Sequence, residues 1–412
     1  MHDLEKPVKN AKKTRKSIAD ADVVVIGASV AGLMACRELH KNNVEFICID
    51  RKKAVGEPLC CGEGLRAETF YKFFGKGNLK DYSFIKNRVS KNVMRINNDS
   101  KTIELEYLEL SRPDFERWLA KDFKDKISLG EGLQDIKIGK DSAVVLTNKR
   151  RINAKIVLLA YGPSYFIQKN LGLISKAPAM IPCYGGIYRN CELRNDEFLF
   201  IFSNDYKIGS NGFWAFPKGN GIVNAGMGYM VGGGGRKPDI KSDFEEKIEE
   251  LPGFSNAKKV RSLAGAYPCD GVIGKTYCNR MLVLGSAAGF VFAATGEGIK
   301  YALRSGDIAA KTAIDALKAG RFDSAFLKLY EKRWKIDFGD EIRVGNMLFE
   351  LAKFALANFT SIGRFLKYIR KGTVERITHG RISLRVRLGY FLIRMFKGRH
   401  IKNILDFVMK HF

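Results

Sequence analysis

The sequence predicts an α/β protein of the Rossmann type, with an interleaved antiparallel sheet. Three observations support this fold class. A glycine-rich turn follows an apolar run in VVVIGASVAG at 23–32, and a second such unit, MLVLGSAAGFVFAATGEGI, occupies 281–299. Between them, short apolar runs separated by turn residues fill 181–229 at the spacing of antiparallel hairpins. With 412 residues, the chain is long enough for one large domain or two interleaved ones.

The composition is that of a strongly basic globular protein. The chain has 70 Lys and Arg against 44 Asp and Glu, a net charge of +26, and 46% of its residues are hydrophobic. This excess favours anionic partners such as nucleic acid, lipid headgroups or diphosphates. The eight cysteines form no CxxC pair, which favours a reducing compartment. No histidine lies between His40 and His379, so zinc hydrolases and Ser–His–Asp hydrolases are excluded and no metal site is expected.

The domain organisation is predicted from changes in composition and periodicity along the chain. Residues 1–20 are polar and rich in lysine, so we expect a flexible basic extension without a signal peptide. No apolar run reaches the roughly 18 to 20 residues of a membrane-spanning helix. The predicted domains are a discontinuous cofactor-binding domain (21–75, 106–165 and 262–325), a substrate-binding sheet domain (76–105 and 166–261) and a basic helical C-terminal region (326–412).

The first unit is a βαβ pattern. An apolar strand from Val23 to Ile26 precedes the glycine turn, and a helix then leads to a second strand that ends at Asp50. Asp50 follows the last glycine of the turn by 18 positions. This spacing places an acid where a dinucleotide ribose hydroxyl is held.

Small residues form the turn of this unit. Gly27 and Gly32 are expected to leave room for a diphosphate beside the backbone, so that a Cβ would push the backbone away from it. Ser29 stands where the fingerprint has its middle glycine, and its hydroxyl can donate to phosphate. The alternative is a turn that serves packing alone.

A glycine-rich loop and a helix start come next. The segment GEPLCCGEG at 56–64 suits neither strand nor helix, and its adjacent thiols, Cys60 and Cys61, have either a chemical role or only small apolar bulk. Alternation of apolar and polar residues predicts strands within 88–108. Pro113 then marks the first turn of a helix. Arg112, just before that helix, either reaches a diphosphate or lies at the surface.

The middle of the chain changes from helical to strand periodicity. A further Rossmann strand is predicted at 152–160, and a short acidic helix at 240–251 ends at Pro252. The predicted strands of the inserted sheet are 181–189, 197–203, 213–216 and 222–229.

The second unit repeats the strand, small-residue turn and helix of the first. A strand at 281–284 leads into small residues, and a long helix begins near Ile299. Two such units in one chain indicate a single extended cofactor, with its diphosphate at the first unit and its redox ring at the second. That cofactor is FAD. The expected contacts in the second unit are Gly285, Ser286, Gly289, Gly296, Gly298 and Ile299.

The C-terminal region is basic and amphipathic. Residues 361–412 hold 13 Lys and Arg but only two acidic residues. The last predicted helix therefore either anchors the chain at an anionic membrane surface or caps the domain. Its apolar face would consist of Ile401, Ile404, Leu405, Val408, Met409 and Phe412.

These residues resemble the geranylgeranyl reductase family of flavoproteins, particularly the archaeal enzymes that saturate prenyl chains of membrane lipids. The resemblance covers roughly 20–320 and implies a fold similar to that of the aromatic hydroxylase flavoproteins. The matching segments are Gly27–Gly32, the PxxCxEG-like PLCCGEG at 58–64, Arg112 with Phe115, the FWAFPKG element at 213–219, and GSAAG…GEGI at 285–299. The chain departs from the family at Gly212, Ala225 and Ser286, where the family has Tyr, Val and Asp.

The resemblance implies FAD-dependent reduction of isolated C=C bonds in geranylgeranyl chains of membrane lipids or their precursors. It places Cys61 and Gly62 at the flavin site. Because no histidine is available, the proton must come from a cysteine, a tyrosine or an ordered water, and Cys61 is the candidate. Trp214, Phe216 and Pro217 would line an apolar tunnel. Lys218, followed by Gly219, would meet an anionic headgroup or the flavin phosphates.

Partners and competing functions complete the prediction. An isoprenoid lipid, an external electron donor (NAD(P)H or a ferredoxin-like protein) and an anionic membrane surface are expected. The expected location is cytoplasmic, at the inner face of the cell membrane. The alternative on the same fold is an FAD-dependent monooxygenase or halogenase. A nucleic-acid-binding role is not expected, because the basic residues form no recognisable binding module.

Overall fold

The structure, a computed structural model, describes residues 17–96, 99–205, 209–232, 239–358, 371–384, 387–388 and 391. Over these ranges the chain forms two eight-stranded sheets with helices packed on them, which confirms the α/β class. The strands, in chain order, are β1 (Ser17–Ile26), β2 (Phe46–Asp50), β3 (Gly64–Arg66), β4 (Ile85–Ile96), β5 (Asp99–Leu110), β6 (Ile127–Leu129), β7 (Leu133–Ile138), β8 (Ala143–Thr147), β9 (Arg150–Leu159), β10 (Met180–Arg189), β11 (Glu197–Asp205), β12 (Gly209–Gly219), β13 (Ile222–Gly232), β14 (Lys258–Pro268), β15 (Tyr277–Cys278) and β16 (Met281–Val283).

The helices lie between and after these strands. They are α1 (Val30–Lys41), α2 (Ala67–Phe74), α3 (Arg112–Ala120), α4 (Phe166–Asn170), α5 (Ile240–Glu249), α6 (Ile299–Ala319), α7 (Ser324–Trp334), α8 (Asp340–Asn358) and α9 (Lys371–Thr378). A π-helical turn, Lys335–Gly339, joins α7 to α8.

The first sheet has the order β15-β16-β9-β1-β2-β6, and the β7–β8 hairpin extends from β9. Its strands β16, β9, β1, β2 and β6 run parallel. The residues Val23 to Ile26 are all buried, as are Ile156 to Leu159 beside them. Continuous apolar runs are required here because both faces of a parallel sheet are covered.

The first strand begins earlier than predicted. β1 starts at Ser17, and residues 17–20 pair with 150–153 of β9. The last residues of the predicted flexible extension are therefore part of the parallel sheet. Residues 1–16 lie outside the described part of the chain.

The second sheet has the order β14-β10-β13-β12-β11-β4-β5-β3. It is antiparallel except where β11 runs parallel to β4. The four predicted apolar runs fall on β10 to β13. The sheet also includes β3, the end of β5 and β14, so it extends beyond the segments predicted for the substrate domain at 64–66, 106–110 and 262–268.

Two helices connect the glycine units to the core. α1 and α6 pack tightly, since a Cβ at Gly306 would lie 2.4 Å from the carbonyl oxygen of Ala31. α6 ends at Gly320, which adopts the left-handed conformation that glycine favours. The second sheet has its own apolar cluster, in which Phe244 of α5 stacks on Phe213 with ring centroids 5.5 Å apart.

The predicted membrane-facing helix at 398–412 lies outside the described residues. Among the described helices, none is long and apolar enough to span a bilayer.

Candidate functional site

The glycine units meet at one edge of the parallel sheet. β1, β2, β9 and β16 all point their carboxyl ends to this edge. Asp50 ends β2 there, and Gly27, Ala160 and Gly285 come after the other three strands. In open α/β sheets, ligands bind in the crevice at such an edge. The two dinucleotide fingerprints, which are about 250 residues apart in sequence, therefore belong to one crevice.

The glycines of the first unit are required by protein packing. A Cβ on Gly27, where φ is +111°, would lie 2.4 Å from the carbonyl oxygen of Ala160. A Cβ on Gly32 would lie 1.8 Å from the carbonyl oxygen of Gly27. This corrects the expectation that a side chain at these positions would chiefly displace a diphosphate, because the first obstacle is the neighbouring backbone.

Asp50 and Lys52 hold the turn between β1 and α1. The Asp50 carboxylate accepts the backbone N–H of Ala28 at 2.7 Å and that of Lys52 at 2.8 Å. The Lys52 ammonium in turn donates to Ser29 Oγ at 2.9 Å. Lys52, which the sequence analysis did not single out, thus places a cation at the start of α1. The ribose contact of Asp50 stays a prediction.

The start of α1 is open to an anionic ligand. The Ser29 side chain does not cap the helix, and no acidic residue occupies its first turn. The N–H groups of a first helical turn carry partial positive charge. The α6 helix has the same features after Gly298.

The second glycine unit is equally constrained. Gly285 and Gly289 both have positive φ, and a Cβ on Gly289 would lie 2.0 Å from the carbonyl oxygen of Gly271. The N–H of Gly285 donates to Ser305 Oγ of α6 at 3.0 Å. The backbone carbonyl of Ser286 accepts a hydrogen bond from Tyr165.

A cavity of about 250 Å³ lies between this unit and the second sheet. Its walls are mostly apolar and come from the 60–64 loop, the 294–299 segment and strands of the second sheet. The predicted site residues that line it are Cys61, Gly62, Trp214, Phe216, Gly296, Gly298 and Ile299. The predicted residues outside its walls are Gly27, Ser29, Gly32, Asp50, Arg112, Pro217, Lys218, Gly219, Gly285, Ser286 and Gly289.

The aromatic wall is tightly packed. Phe216 stacks on Phe198 with ring centroids 4.1 Å apart. The Trp214 ring lies over Gly226, where a Cβ would approach it to 2.2 Å. A Cβ on Gly62 would come within 3.1 Å of Phe216, so the loop that carries Cys61 packs directly on this wall.

Cys61 carries a partly buried thiol. Its Sγ accepts the N–H of Glu63 at 3.2 Å. Burial raises the pKa of the thiol, and the nearby Arg112 guanidinium opposes that effect. Arg112 itself pairs with Glu116, with Nε 2.9 Å from Oε1. The expected diphosphate contact of Arg112 stays a prediction.

The Glu63 carboxylate holds the 60–64 loop in place by hydrogen bonds to other segments. One carboxylate oxygen accepts the backbone N–H of Arg112 at 2.7 Å, and the other accepts Lys218 at 2.7 Å and Asn224 at 3.0 Å. Asn224 also donates to the Cys61 carbonyl at 2.8 Å and accepts Trp214 Nε1–H at 3.1 Å. Cys61 and Trp214 are therefore held by one hydrogen-bond network.

The position of Lys218 differs from the prediction. Its ammonium binds Glu63, Glu109 at 3.1 Å and the Leu110 carbonyl. Burial alone would lower its pKa, but the two carboxylates raise it, so the lysine is charged. Because buried carboxylates already neutralise this cation, the geometry does not favour contact with a headgroup or phosphate. The sequence could not pair residues separated by 155 and 109 positions.

Several cavity residues were not singled out from the sequence. Cys183 and Tyr107 line the walls, and burial raises the pKa of the Cys183 thiol to about 12. Glu297 also faces the cavity. Glu297 could have been recognised from the sequence, because Gly296-Glu297-Gly298 repeats the tripeptide at 62–64. Asn224 could have been recognised as a polar residue inside an apolar strand.

This fold and site define a class of protein: a Rossmann-type dinucleotide-binding protein whose second sheet encloses an apolar cavity. The chain is 30% identical to digeranylgeranylglycerophospholipid reductase 1 of Methanosphaera stadtmanae over 77% of its own length and 81% of that protein. It is 27% identical to digeranylgeranylglycerophospholipid reductase 1 of Methanopyrus kandleri, over 82% of this chain and 94% of that protein. The chain belongs to the digeranylgeranylglycerophospholipid reductase family. No family model matches it.

Solved structures share the fold. A geranylgeranyl bacteriochlorophyll reductase-like protein of Thermoplasma acidophilum has a TM-score of 0.74 at 21% identity, covering 95% of this chain and 100% of its own. The flavin-dependent brominase Bmp2 has a TM-score of 0.64 at 15% identity, and the match covers 88% of this chain and 94% of the brominase. The predicted resemblance is confirmed, and so is the relationship of the fold to flavin-dependent reductases and halogenases.

Proposed function

We propose that the chain is an FAD-dependent reductase that saturates isolated C=C bonds of geranylgeranyl chains in membrane lipids or their precursors. The observation that carries the proposal is the apolar cavity, which joins the Cys61 loop to the glycine segment before α6. The names of its relatives support the substrate class, since they are reductases of digeranylgeranylglycerophospholipids.

The chain offers suitable groups for FAD at two places. The uncapped start of α1, with Lys52 beside it, suits a diphosphate. The 285–299 segment is lined by small residues and leads to the uncapped start of α6, which suits the flavin end. When bound, FAD supplies a hydride from its reduced ring.

The protein positions the alkene and excludes water from the cavity. An isolated alkene has no carbonyl to polarise it, so its reduction depends on exclusion of water and on alignment with the hydride donor. Phe198, Phe216 and Trp214 provide an apolar wall for the isoprenoid. Cys61, the candidate proton donor from the sequence, lines the same cavity.

A membrane surface is the proposed site of action, with electrons from an external donor. The described residues Leu384, Leu388 and Phe391 are 71%, 51% and 59% exposed. All three are helical residues, and their spacings of four and three positions are those of one helix face. Such a face beside a basic segment suits an anionic lipid surface.

The decisive experiment is an anaerobic single turnover with a geranylgeranyl lipid and chemically reduced protein. We expect the product to gain two hydrogens per double bond. The alternative, a monooxygenase or halogenase, has support in the fold shared with the brominase. An oxygen-dependent gain of oxygen or halogen would overturn the reductase proposal.

Trp214 should govern substrate position. Trp214→Ala removes much of the cavity wall, and a misplaced substrate costs about 10²-fold in rate. We expect that loss in single-turnover rate while the visible flavin spectrum is retained. Loss of the flavin as well would mean that Trp214 serves cofactor binding.

The C-terminal residues 398–412 should strengthen membrane binding. Their removal should weaken sedimentation with anionic vesicles and leave flavin content unchanged, because each basic residue near such a surface contributes about 1 kcal/mol. Binding of the full chain should fall as salt rises. Equal vesicle binding of both proteins at low salt would identify the segment as a cap of the domain.

A further inference from the structure

Glu297 is a carboxyl group without a partner in the cavity wall. It lies between Gly296 and Gly298, directly before α6. Its Oε1 is buried and accepts no hydrogen bond, and the carboxyl forms no ion pair with any residue that the structure describes. Buried polar groups normally have partners. Because Glu297 lines the cavity, it is an acid at this site whose Oε1 no described residue holds by a hydrogen bond.

Neighbouring groups explain why Glu297 has no counterion. Lys300 binds Glu341 at 2.8 Å, and Arg304 binds the same carboxylate at 2.7 Å. Glu341 thus pairs with both cations of the first turns of α6, Lys300 and Arg304. The titratable groups that act on Glu297 from the surrounding elements are Arg66, Glu68, Tyr107, Lys300, Tyr301 and Glu341.

Burial favours the neutral acid form of Glu297 over the carboxylate. It raises the pKa of the carboxyl, and Lys300 and Arg66 oppose this only in part. Arg66 is 5% exposed, and its Nε and Nη1 have no hydrogen-bond partner among the described residues. A buried guanidinium with free donors would stabilise the carboxylate once its proton has left.

We propose that Glu297 is the acid that delivers the proton to the alkene carbon in the cavity. This inference rests on the proposed reductase function. One alkene carbon receives a hydride, and with it two electrons, from the reduced flavin, which becomes oxidised. The O–H bond of Glu297 breaks, the π electron pair forms the C–H bond to the second carbon, and a carboxylate remains. The carboxylate regains a proton from solvent, which reaches the segment at the exposed Thr295.

Cys61 is another acidic group in the cavity wall. An unperturbed Cys has a pKa of about 8.5, against about 4.3 for Glu. Burial raises the pKa of both groups. The Cys61 Sγ also accepts a backbone N–H, whereas Glu297 Oε1 accepts none from the described residues. We assign the donor role to the carboxyl because it is intrinsically the more acidic group and its Oε1 has no hydrogen-bond partner among those residues.

The test compares Glu297→Gln, Glu297→Asp and Cys61→Ser in the flavin-loaded protein. Glutamine keeps the shape but has no acidic proton, so the anaerobic single-turnover rate with lipid should fall by about 10² to 10⁴-fold, the usual contribution of a general acid. Aspartate should restore part of the rate. Cys61→Ser should lose less and keep the wild-type pH profile. Glu104→Gln, an exposed change on β5, is the matched control.

Infrared difference spectra give a readout independent of turnover. The carbonyl band of the protonated Glu297 carboxyl should persist in wild type to a higher pH than that of an unperturbed glutamate, and it should be absent from Glu297→Gln. A Glu297→Gln protein that turns over within about two-fold of wild type, or a missing band, overturns the assignment. If wild type itself leaves the lipid unreduced while the band is present, the proposed function fails and the protonated carboxyl stands.

Discussion

Two Gly-Glu-Gly tripeptides, 62–64 and 296–298, line the same cavity, and their carboxyl groups have opposite surroundings. Glu63 is 1% exposed and accepts hydrogen bonds from Lys218, Asn224 and the Arg112 backbone. The second glutamate, Glu297, has no such donors. The same three residues thus make an anchor at one place and an unpaired acid at the other.

The difference shows what assigns a role to a buried carboxyl. A carboxylate that accepts several hydrogen bonds is fixed in position by its donors. A carboxyl without donors favours the neutral form, since burial penalises its charge. The anchor is therefore suited to hold the Cys61 loop, and the unpaired acid is suited to give up a proton.

The largest expected effect is on the anchor. Glu63→Gln places an amide NH₂ where Lys218 and Asn224 already point their own donors. Breaking a buried ion pair costs about 3 to 5 kcal/mol, and the lower end applies because Glu109 still pairs with the lysine. We expect a loss of about 3 kcal/mol in the free energy of unfolding, measured by urea denaturation.

Glu297→Gln is the matched control for that experiment. It changes a carboxyl whose Oε1 has no hydrogen-bond partner among the described residues, so the free energy of unfolding should change by less than about 1 kcal/mol. Equal losses in the two variants would contradict the distinction between anchor and unpaired acid.

A smaller effect should separate the glycines that follow the two glutamates. A Cβ on Gly64 would lie 2.9 Å from the Phe198 ring, whereas a Cβ on Gly298 would lie 3.7 Å from Val291. Gly64→Ala should therefore overpack the wall and cost about 1 to 3 kcal/mol. Gly298→Ala should cost less, as thermal unfolding of the two variants can establish. A greater cost at Gly298 would show that the second segment is the more tightly packed.

Sequence predicted the framework well because the framework depends on local pattern. Val23 to Ile26 form an unbroken apolar run because both faces of β1 are covered. The inserted sheet was recognisable from runs divided by turn residues. The aromatic wall and Cys61 came from the family resemblance.

What sequence could not supply are pairings between distant segments. Lys218 looked free for an anion, but two carboxylates from other elements meet it. Gly27 looked open to a ligand, but Ala160 of a neighbouring strand end faces it. Nothing in the two tripeptides tells which glutamate finds donors, because Lys218 and Asn224 lie more than 150 residues from Glu63.

The smallest expected effect is a pH dependence of stability that belongs to Glu297. Burial raises the folded-state pKa of Glu297 above 4.5, so between these values the folded protein binds more protons than the unfolded chain. Stability then falls as pH rises through that range. The free energy of unfolding of wild type minus that of Glu297→Gln should therefore decline from pH 4.5 upward and level off above the folded pKa. Other acids cancel in the subtraction.

An acid with the opposite shift provides the control. Burial alone would raise the pKa of Glu131, but hydrogen bonds from Arg150 and Thr147 lower it below 4.5. Its contribution to stability is present above pH 4.5 and is lost as pH falls through the folded pKa. The free energy of unfolding of wild type minus that of Glu131→Gln should therefore rise with pH below 4.5. In the same range the difference between wild type and Glu297→Gln should stay constant. A flat curve for Glu297→Gln at every pH would mean that its carboxyl titrates normally, and the contrast with Glu63 would then rest on hydrogen bonds alone.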